Sequence, residues 1–551
     1  MIRRSSNQFV ERLGAIGGSW SILVAAFVAA SPGACLAPDA QQGKPEASTS
    51  SSGGTSSGTG TGGDGMGGFG GMGGAGGMGG VGGTGGGVGG AGGAGGGAST
   101  KVSAAWLNAY GNGSSQSARA IATDAAGNAI VAGIYVSESM DMGPVTLPDP
   151  QQTDSFIAKL TPDGSVLWSR TIASGGDQRV NAVAIDPKDG SIVVVGVFQN
   201  SLDTDECEPI QGAGGSDLFV VKLQPDTGAS VFCKAFGDSS EQSAYSVAVD
   251  ASQAIVVTGL FTGTVDFGSP TAPLTVVDDP IIGGDASEIF VVKLDMDGNA
   301  LAARSLGDAP FIEALTQLGV ATDSMNDILI TGAFEGVFAI PGVPLYNEGP
   351  PDLFLAKLSG ATLEPSWWLT SGDAVNGQYG RAIAVDASTD TIYVGGSFVG
   401  DLNLGDVSIP AGKSLDSFVA AVNTSGKSIW GKRIGGIGDQ YLTGLALDGA
   451  NAILLGGGFS GVLDFGDGGT LIGSDVMPGG TLDAFVAKLS PDGDHLWSFQ
   501  ASGPDYQLTL GVSPAPNGAY AAGFFTTSIT AGDLGAPCEG ADDVFVLKLA
   551  D

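Results

Sequence analysis

Basic residues are scarce. Lysine and arginine together number 22 against 57 aspartates and glutamates, which leaves a formal charge of −35. Nucleic-acid recognition needs a basic face to neutralise phosphates, so that class of function is excluded. Docking onto anionic lipid head groups is disfavoured for the same reason. Histidine is scarcer still: His495 stands alone, in the segment Pro491-Asp-Gly-Asp-His-Leu-Trp497. One imidazole in a turn builds neither a multi-histidine metal site nor a nucleophile–base pair, and it reads as a surface turn residue. Four cysteines are too few for a disulfide-built fold. The apolar run at residues 20–30 (WSILVAAFVAA) is too short to cross a hydrocarbon core of about 30 Å as a helix.

That run has another use. With Arg3, Arg4 and Arg12 ahead of it, it makes a targeting segment over residues 1–35. Small residues then lead to Cys35 in SPGAC, which resembles the lipobox of bacterial lipoproteins: Gly33, Ala34 and Cys35 match, and Pro32 stands where leucine is usual. The resemblance implies a lipid on Cys35 and a place in the cell envelope, at the outer membrane or cell surface, with the lipid as the only membrane attachment. Ordinary signal-peptidase cleavage and secretion is the alternative. Residues 36–100 follow, and from 51 to 97 they are almost only Gly, Ser, Thr, Ala and Met. Such a composition buries too little apolar surface to offset its ordering entropy. It predicts a tether with a root-mean-square span of roughly 40–45 Å.

Beyond residue 100 the chain repeats itself. DSFIAKL (154–160) returns as DLFVVKL (217–223), EIFVVKL (288–294), DLFLAKL (352–358), DSFVAAV (416–422), DAFVAKL (483–489) and DVFVLKL (543–549). A second block ends in Gly-x-aromatic at Gly133, Gly196, Gly259, Gly332, Gly396, Gly457 and Gly523. A third ends in Asp124, Asp186, Asp250, Asp323, Asp386 and Asp448, with Pro514 in the last copy. A fourth centres on Trp106, Trp168, Phe232, Ala302, Trp367, Trp430 and Trp497, at steps of 62, 64, 70, 65, 63 and 67 residues. The segments are rich in Val, Ile, Phe and Ala and are punctuated by turn formers such as Pro-Asp-Gly. None shows a sustained 3.6-residue period, so helices should be scarce.

Four strands per repeat, seven times over, predict an all-β, seven-bladed propeller of four-stranded antiparallel blades over residues 101–551. The small-residue segment before each Asp suits the innermost strand, and the Trp segment the outermost. The glycine block is expected to let neighbouring blade faces approach closely. Because the region opens on an outer-type strand and closes on a third-type strand, a Velcro closure is expected, with the Trp106 strand completing the seventh blade. The pattern of Asp-x-Phe-Val-Ala-Lys-Leu, Pro-Asp-Gly-x-x-x-Trp, Ala-x-Asp and Gly-x-Phe resembles the exported bacterial β-propeller repeats known as SBBP. That resemblance implies an exported propeller and brings no catalytic residues with it.

Candidate sites are sparse. A glutamine precedes the inner-strand Asp by eight residues at Gln116, Gln178, Gln242, Gln378 and Gln440, and Gln507 lies near the same place; Leu315 breaks the set. With Arg179, Arg381, Tyr379 and Tyr441 close by, this ring suits a sugar-like or peptide ligand at the channel mouth. The competing reading has each glutamine bonding the neighbouring blade's loop backbone. Asp203 and Asp205, and Asp295 and Asp297, place oxygen ligands two residues apart and are weak candidates for calcium; hairpin turns explain the second pair equally well. No other cofactor is expected. Cys207 and Cys233 are the nearest cysteine pair within one repeat, either bridged or free and buried. The reading these features favour is a non-catalytic, monomeric binding or scaffolding propeller whose partner is an unknown protein or glycan. The alternative is an envelope polysaccharide hydrolase or lyase using a carboxylate pair.

Overall fold

The computed structural model describes residues 102–150, 152–204, 206–268, 270–276, 287–309, 318–338, 344–410, 412–475 and 480–551. The leader, Cys35, the glycine-rich segment, Asp205 and Leu315 lie outside the described residues. Every regular element described is a β-strand.

Blade 1 is the antiparallel meander Gln116–Thr123, Ala129–Val136, Thr153–Leu160 and Val166–Ile172, which run inner, second, third and outer. Blades 2 and 3 start at Gln178–Ile185 and Gln242–Val249. Blades 4 and 5 start at Gly319–Thr322 and Gln378–Asp386. Blades 6 and 7 start at Gln440–Leu447 and Gln507–Ala515. Each inner strand packs on the inner strand of the next blade, and that of blade 7 packs on that of blade 1, so the ring is closed. Closure uses the N-terminal strand as expected. Ser103–Tyr110 pairs antiparallel with Asp543–Ala550, Tyr110 opposite Val544 and Trp106 opposite Lys548, and so supplies the fourth strand of blade 7. The apolar cores lie between blades: Val180, Phe198 and Phe219 of blade 2 cluster with Ile157 and Trp168 of blade 1.

The repeated glycine has a different cause from the one expected. A methyl group built on Gly133 would meet the Phe156 ring at 2.6 Å, and one on Gly196 would meet the Phe219 ring at 2.8 Å. These rings are the Phe of Asp-x-Phe in the same blade, not a neighbouring blade face. The same methyl groups would also strike a backbone carbonyl of the paired inner strand, Ser117 O and Arg179 O, so only glycine leaves room for ring and carbonyl together.

Two features of each blade were not expected. The first is a short hairpin between the second and third strands, for example Met140–Met142 with Val145–Leu147, or Leu402–Leu404 with Val407–Ile409. These hairpins reach the preceding blade: Ala173 bridges Asp203, Ser502 bridges Thr530, and Ile437 pairs with Val462. The second is a β-bulge in all seven outer strands, one residue before the Trp position. Leu160 pairs with Val166 and Lys159 with Trp168, so Leu167 is skipped. The same shift skips Val231, Leu301, Ser366, Ile429, Leu496 and Ala105. An outer strand is a free edge, and a bulge disrupts the flat template that another chain could extend.

The Trp block has a specific job. Trp106 Nε1 donates to Pro162 O at 3.0 Å, Trp168 Nε1 to Pro225 O at 3.3 Å, Trp367 Nε1 to Thr424 O at 2.9 Å and Trp430 Nε1 to Pro491 O at 3.2 Å. Each acceptor is in the third-to-outer turn of the next blade. The turn glycine sits under the indole with positive φ, 88° at Gly164 and 80° at Gly426, where a side chain would be strained and would strike the ring. Turn and tryptophan, recorded in the sequence as one motif, therefore act across two blades.

Candidate ligand-binding site

The inner strands carry most of the residues expected to bind a ligand, and their side chains divide by direction. Gln116, Gln178, Gln242, Gln378, Gln440 and Gln507 each have 0% exposure, so none faces a channel mouth. Their amide N–H groups hold backbone carbonyls where the second strand leaves the blade. Gln178 Nε2 donates to Ser201 O at 3.1 Å, Gln242 to Thr262 O at 3.0 Å, Gln378 to Val399 O at 2.9 Å and Gln507 to Ser528 O at 3.2 Å. Gln440 Nε2 donates to Gly438 O at 2.8 Å, and Gln116 bonds the Asn112 side chain. The loop backbone they satisfy belongs mainly to their own blade rather than the neighbour. They are interior posts, because a buried carbonyl left without a donor is costly.

The residues beside them are more exposed. Each inner strand of blades 1, 2, 3, 5, 6 and 7 has a bulge three residues after its glutamine, skipping Arg119, Asn181, Tyr245, Arg381, Thr443 and Leu510. Some of these stitch blades together: Arg119 Nη1 donates to Asn181 Oδ1 at 3.3 Å, and Asn181 Nδ2 to Ala244 O at 2.8 Å. Arg381 is buried, 5.8 Å over the Tyr379 ring, and its burial disfavours the cation. Tyr379 and Tyr441 are both near it, and burial pushes both phenols up.

Arg179 stands elsewhere. It lines a cleft of about 200 Å³ between blades 2 and 3 with Asp177, Ser216, Glu241, Ser243 and Tyr245. Asp177 is 3.5 Å from the Arg179 guanidinium, and Glu241 accepts the Ser216 N–H at 3.2 Å. Drug-sized sites occupy roughly 300–1,000 Å³, so this cleft takes a group no larger than about one sugar ring. The structure thus separates Arg179 from Arg381, Tyr379 and Tyr441, which sit on blades 5 and 6.

Cys207 and Cys233 are joined by a disulfide with Cα atoms 6.2 Å apart, tying the excursion after the second strand of blade 2 to its outer strand. Asp295 accepts N–H groups from Asp297 at 3.0 Å and Asn299 at 2.8 Å. Burial works against ionisation there, but the Asn299 bonds outweigh it and the carboxyl lies below its usual range. It caps a turn. Asp203 joins its strand to Ala173 through the backbone. Among the described residues no group of three or more His, Cys, Asp or Glu is placed to hold a metal ion. His495 packs 5.3 Å from the Phe465 ring, and burial lowers its pKa.

Two sets of charged residues recur visibly in the sequence, but their roles went unread. At the end of the blade opposite the glutamines, the Lys of the third strand pairs with the Asp that closes the inner strand. Lys159 meets Asp124 at 2.8 Å, Lys293 meets Asp250 at 2.9 Å, Lys357 meets Asp323 at 2.6 Å and Lys488 meets Asp448 at 2.9 Å. At the glutamine end, the Asp of Asp-x-Phe is buried at the start of the third strand. Burial, and then the nearby carboxylates of Glu539 and Asp542, push Asp543 up to about 7. Burial pushes Asp154 and Asp352 up to about 6, with Asp177 and Asp373 adding to it. Recurrence of an acid at the first position of a hydrophobic strand was the available signal.

No protein-family model matches the chain. It is 22% identical over 462 residues to an uncharacterized WD repeat-containing protein of Acanthamoeba polyphaga mimivirus, covering 71% of this chain and 28% of that protein. The chain thus spans under a third of that relative's length. Among solved structures it is similar to the WD40 β-propeller domain of Doa1, at 10% identity and a TM-score of 0.39, covering 81% of this chain and 97% of that one. It is also similar to BamB from Moraxella catarrhalis, at 12% identity and a TM-score of 0.32, covering 79% and 99%.

Proposed function

We propose that this chain is a binding or scaffolding propeller of the bacterial cell envelope, holding a small polar ligand group in the cleft between blades 2 and 3. The observation that carries the reading is the lining of that cleft: one guanidinium, two carboxylates, hydroxyls and a tyrosine ring around about 200 Å³. Both acids are engaged, Asp177 by Arg179 and Glu241 by the Ser216 N–H. Groups fixed this way suit accepting and donating hydrogen bonds to hydroxyls, as one unit of a glycan or a polar peptide side chain offers. Display at the envelope rests on the leader, on Cys35 in its lipobox-like setting, and on the SBBP-like repeat pattern.

A thermal-shift screen of the full chain against soluble glycans and polar peptides tests binding. A ligand at a hundred times its Kd stabilises the folded state by about 2.7 kcal/mol. The expected result is a shift that Arg179→Ala and Tyr245→Phe abolish while the unliganded melt is kept, the phenylalanine preserving the ring's packing on the core between blades 3 and 4. A shift insensitive to both substitutions moves the site elsewhere, and release of new reducing ends or unsaturated sugars replaces binding with hydrolase or lyase activity. Location is read separately: Cys35→Ala is expected to move the protein from the membrane fraction to the soluble one.

A further inference from the structure

At the six blade junctions that carry a glutamine, the glutamine end leaves a hydrogen-bond acceptor over. Consider the backbone N–H four residues before the glutamine. In blades 1 and 3 it donates to the glutamine itself: Asn112 N to Gln116 Oε1 at 3.3 Å, and Asp238 N to Gln242 Oε1 at 3.1 Å. In blades 2 and 7 the equivalent backbone, at Ser174 and Gly503, bonds the aspartate of the preceding blade, Asp154 and Asp483. One donor is therefore within reach of two acceptors, the aspartate of one blade and the glutamine of the next.

The leftover acceptors are the ones the structure leaves without partners. Where the N–H goes to the glutamine, Asp543 Oδ1 and Asp217 Oδ1 have none; where it goes to the aspartate, Gln178 Oε1 and Gln507 Oε1 have none. Asp154 Oδ1 is also without one, and between blades 4 and 5 both Asp352 Oδ1 and Gln378 Oε1 are. Asp154, Asp217 and Asp543 are 3%, 2% and 1% exposed. At the junction of blades 2 and 3 the two oxygens are neighbours: a methyl group built on Gly237 would strike Asp217 Oδ1 and lie 2.6 Å from Gln242 Oε1. Two facing acceptors repel, and burial removes the water that would otherwise screen them.

We propose that Asp154, Asp217, Asp352 and Asp543 are carried as neutral carboxylic acids, each donating its Oδ1 proton to the glutamine Oε1 of the following blade. One proton taken from solvent at each junction turns the surplus acceptor into a donor, and no other bond changes. The charged groups facing these acids favour the same state. They are the carboxyl groups of Asp177 for Asp154, Asp238 and Glu241 for Asp217, Asp373 for Asp352, and Glu539 and Asp542 for Asp543; the Tyr135 phenol also faces Asp154, and the Cys538 thiol at Asp543 pulls the other way. A bound cation fits less well, because one carboxylate and one amide oxygen fall short of the six to eight oxygens calcium takes. Blade 5 satisfies the acid another way: Arg433 grips Asp416 with Nε–Oδ2 at 2.7 Å and Nη2–Oδ1 at 2.9 Å, and the facing Gln440 Oε1 is left without a partner.

The consequence for pH follows from the direction of the shift. Burial holds the folded pKa of all four acids above the unfolded value, so their contribution is full below about pH 4; for Asp154, Asp352 and Asp543 it is lost as pH rises through about 6 to 7, and for Asp217 as pH rises through its raised folded pKa. The test is the melting temperature of the full chain at pH 5 and pH 8 for wild type, Asp217→Asn, Asp543→Asn and Asp416→Asn. An asparagine N–H replaces a carboxylic O–H donor but not an ionised acceptor. The expected result is a wild-type melt that falls from pH 5 to pH 8, and Asp217→Asn and Asp543→Asn variants that melt no lower than wild type at pH 8 and lose part of that fall. Asp416→Asn is expected to melt lower at both pH values. A flat wild-type profile overturns the proposal, as do Asp217→Asn and Asp543→Asn losses as large as that of Asp416→Asn. If those variants do not fold, the infrared band of protonated carboxyl groups in wild type at pH 7 decides, and its absence overturns the proposal.

Discussion

Five of the seven blades carry an aspartate at both ends, Glu288 replacing one in blade 3 and Pro514 one in blade 7, and the two ends treat the acid oppositely. At the lysine end the acid meets an ammonium group within its own blade, and the same ammonium reaches the next blade: Lys159 Nζ donates to Pro225 O at 2.9 Å and Lys293 Nζ to Gly360 O at 2.9 Å. Among the aspartates that open the described third strands at the glutamine end, only Asp416 has an arginine partner. A buried charge is tolerable when it is paired and bonded, and otherwise it is neutralised. One repeat thus holds both answers to the same electrostatic problem. The lysine end also shows how an answer is replaced when a residue is missing. Blade 5 has Ala421 where the lysine stands, and there Tyr393 Oη donates to Pro491 O at 3.4 Å, taking over the bond into the next blade.

The largest break in this comparison comes from the ring itself. Deleting residues 102–110 removes the outer strand of blade 7, exposes its third strand as an edge and frees the Trp106 bond to blade 1. A sharply lowered or lost cooperative melt is expected, and an unchanged melt contradicts the closure. Next comes Lys293→Ala, which leaves Asp250, 0% exposed, without its cation. Removing one partner of a buried pair costs about 3–5 kcal/mol, to be read from urea denaturation. The same ion pairs set the acid limit. Burial opposes ionisation of Asp250, but its bonds from Ser252 and Lys293 outweigh that and hold its pKa below the usual value. Its contribution is present above about pH 4 and is lost as pH falls through the folded pKa, so denaturation midpoints are expected to drop below about pH 4.

A smaller change would transplant the solution of blade 5. Ala109 lies opposite Phe545 as Arg433 lies opposite Phe418, so Ala109→Arg places a guanidinium where Asp543 can use it. A gain of about 1 kcal/mol at pH 8 and none at pH 5 is expected, measured by the same denaturation. Smallest is Trp367→Phe, which keeps the ring over Gly426 and loses one N–H bond to Thr424 O. A loss of about 0.5–1.5 kcal/mol is expected.

The ring was legible in the sequence because its signal was written seven times: a Phe block, a glycine and a tryptophan at fixed steps outweigh any single ambiguous strand. What the glycine was for was less legible. Gly133 and Phe156 are far apart in the chain, and only the third dimension lays one across the other. The hairpins between second and third strands escaped because they differ in length and composition, as Met140–Leu147 of one and Ser201–Gln211 of another show. The glutamines were found but misplaced. A recurrent polar residue near a strand start reads equally as a ligand contact or as a buried post, and 0% exposure is a property of packing, not of the residue. Arg179 was expected at the channel mouth and lines the cleft instead, while Asp177 and Glu241 were not singled out, since nothing in the chain distinguishes two lining acids from the 55 others.

The tryptophan-to-turn bonds also determine how the ring bears a load. A pull on residue 102 is met first by the ladder from Ser103–Tyr110 to blade 7. It is met at the same time by blade 1, through Trp106 Nε1 on Pro162 O and Asn108 Nδ2 on Gly164 O at 2.7 Å. Tension entering at that strand is therefore shared between two blades, and the seam where the circle is sewn shut is also where it is doubly stitched.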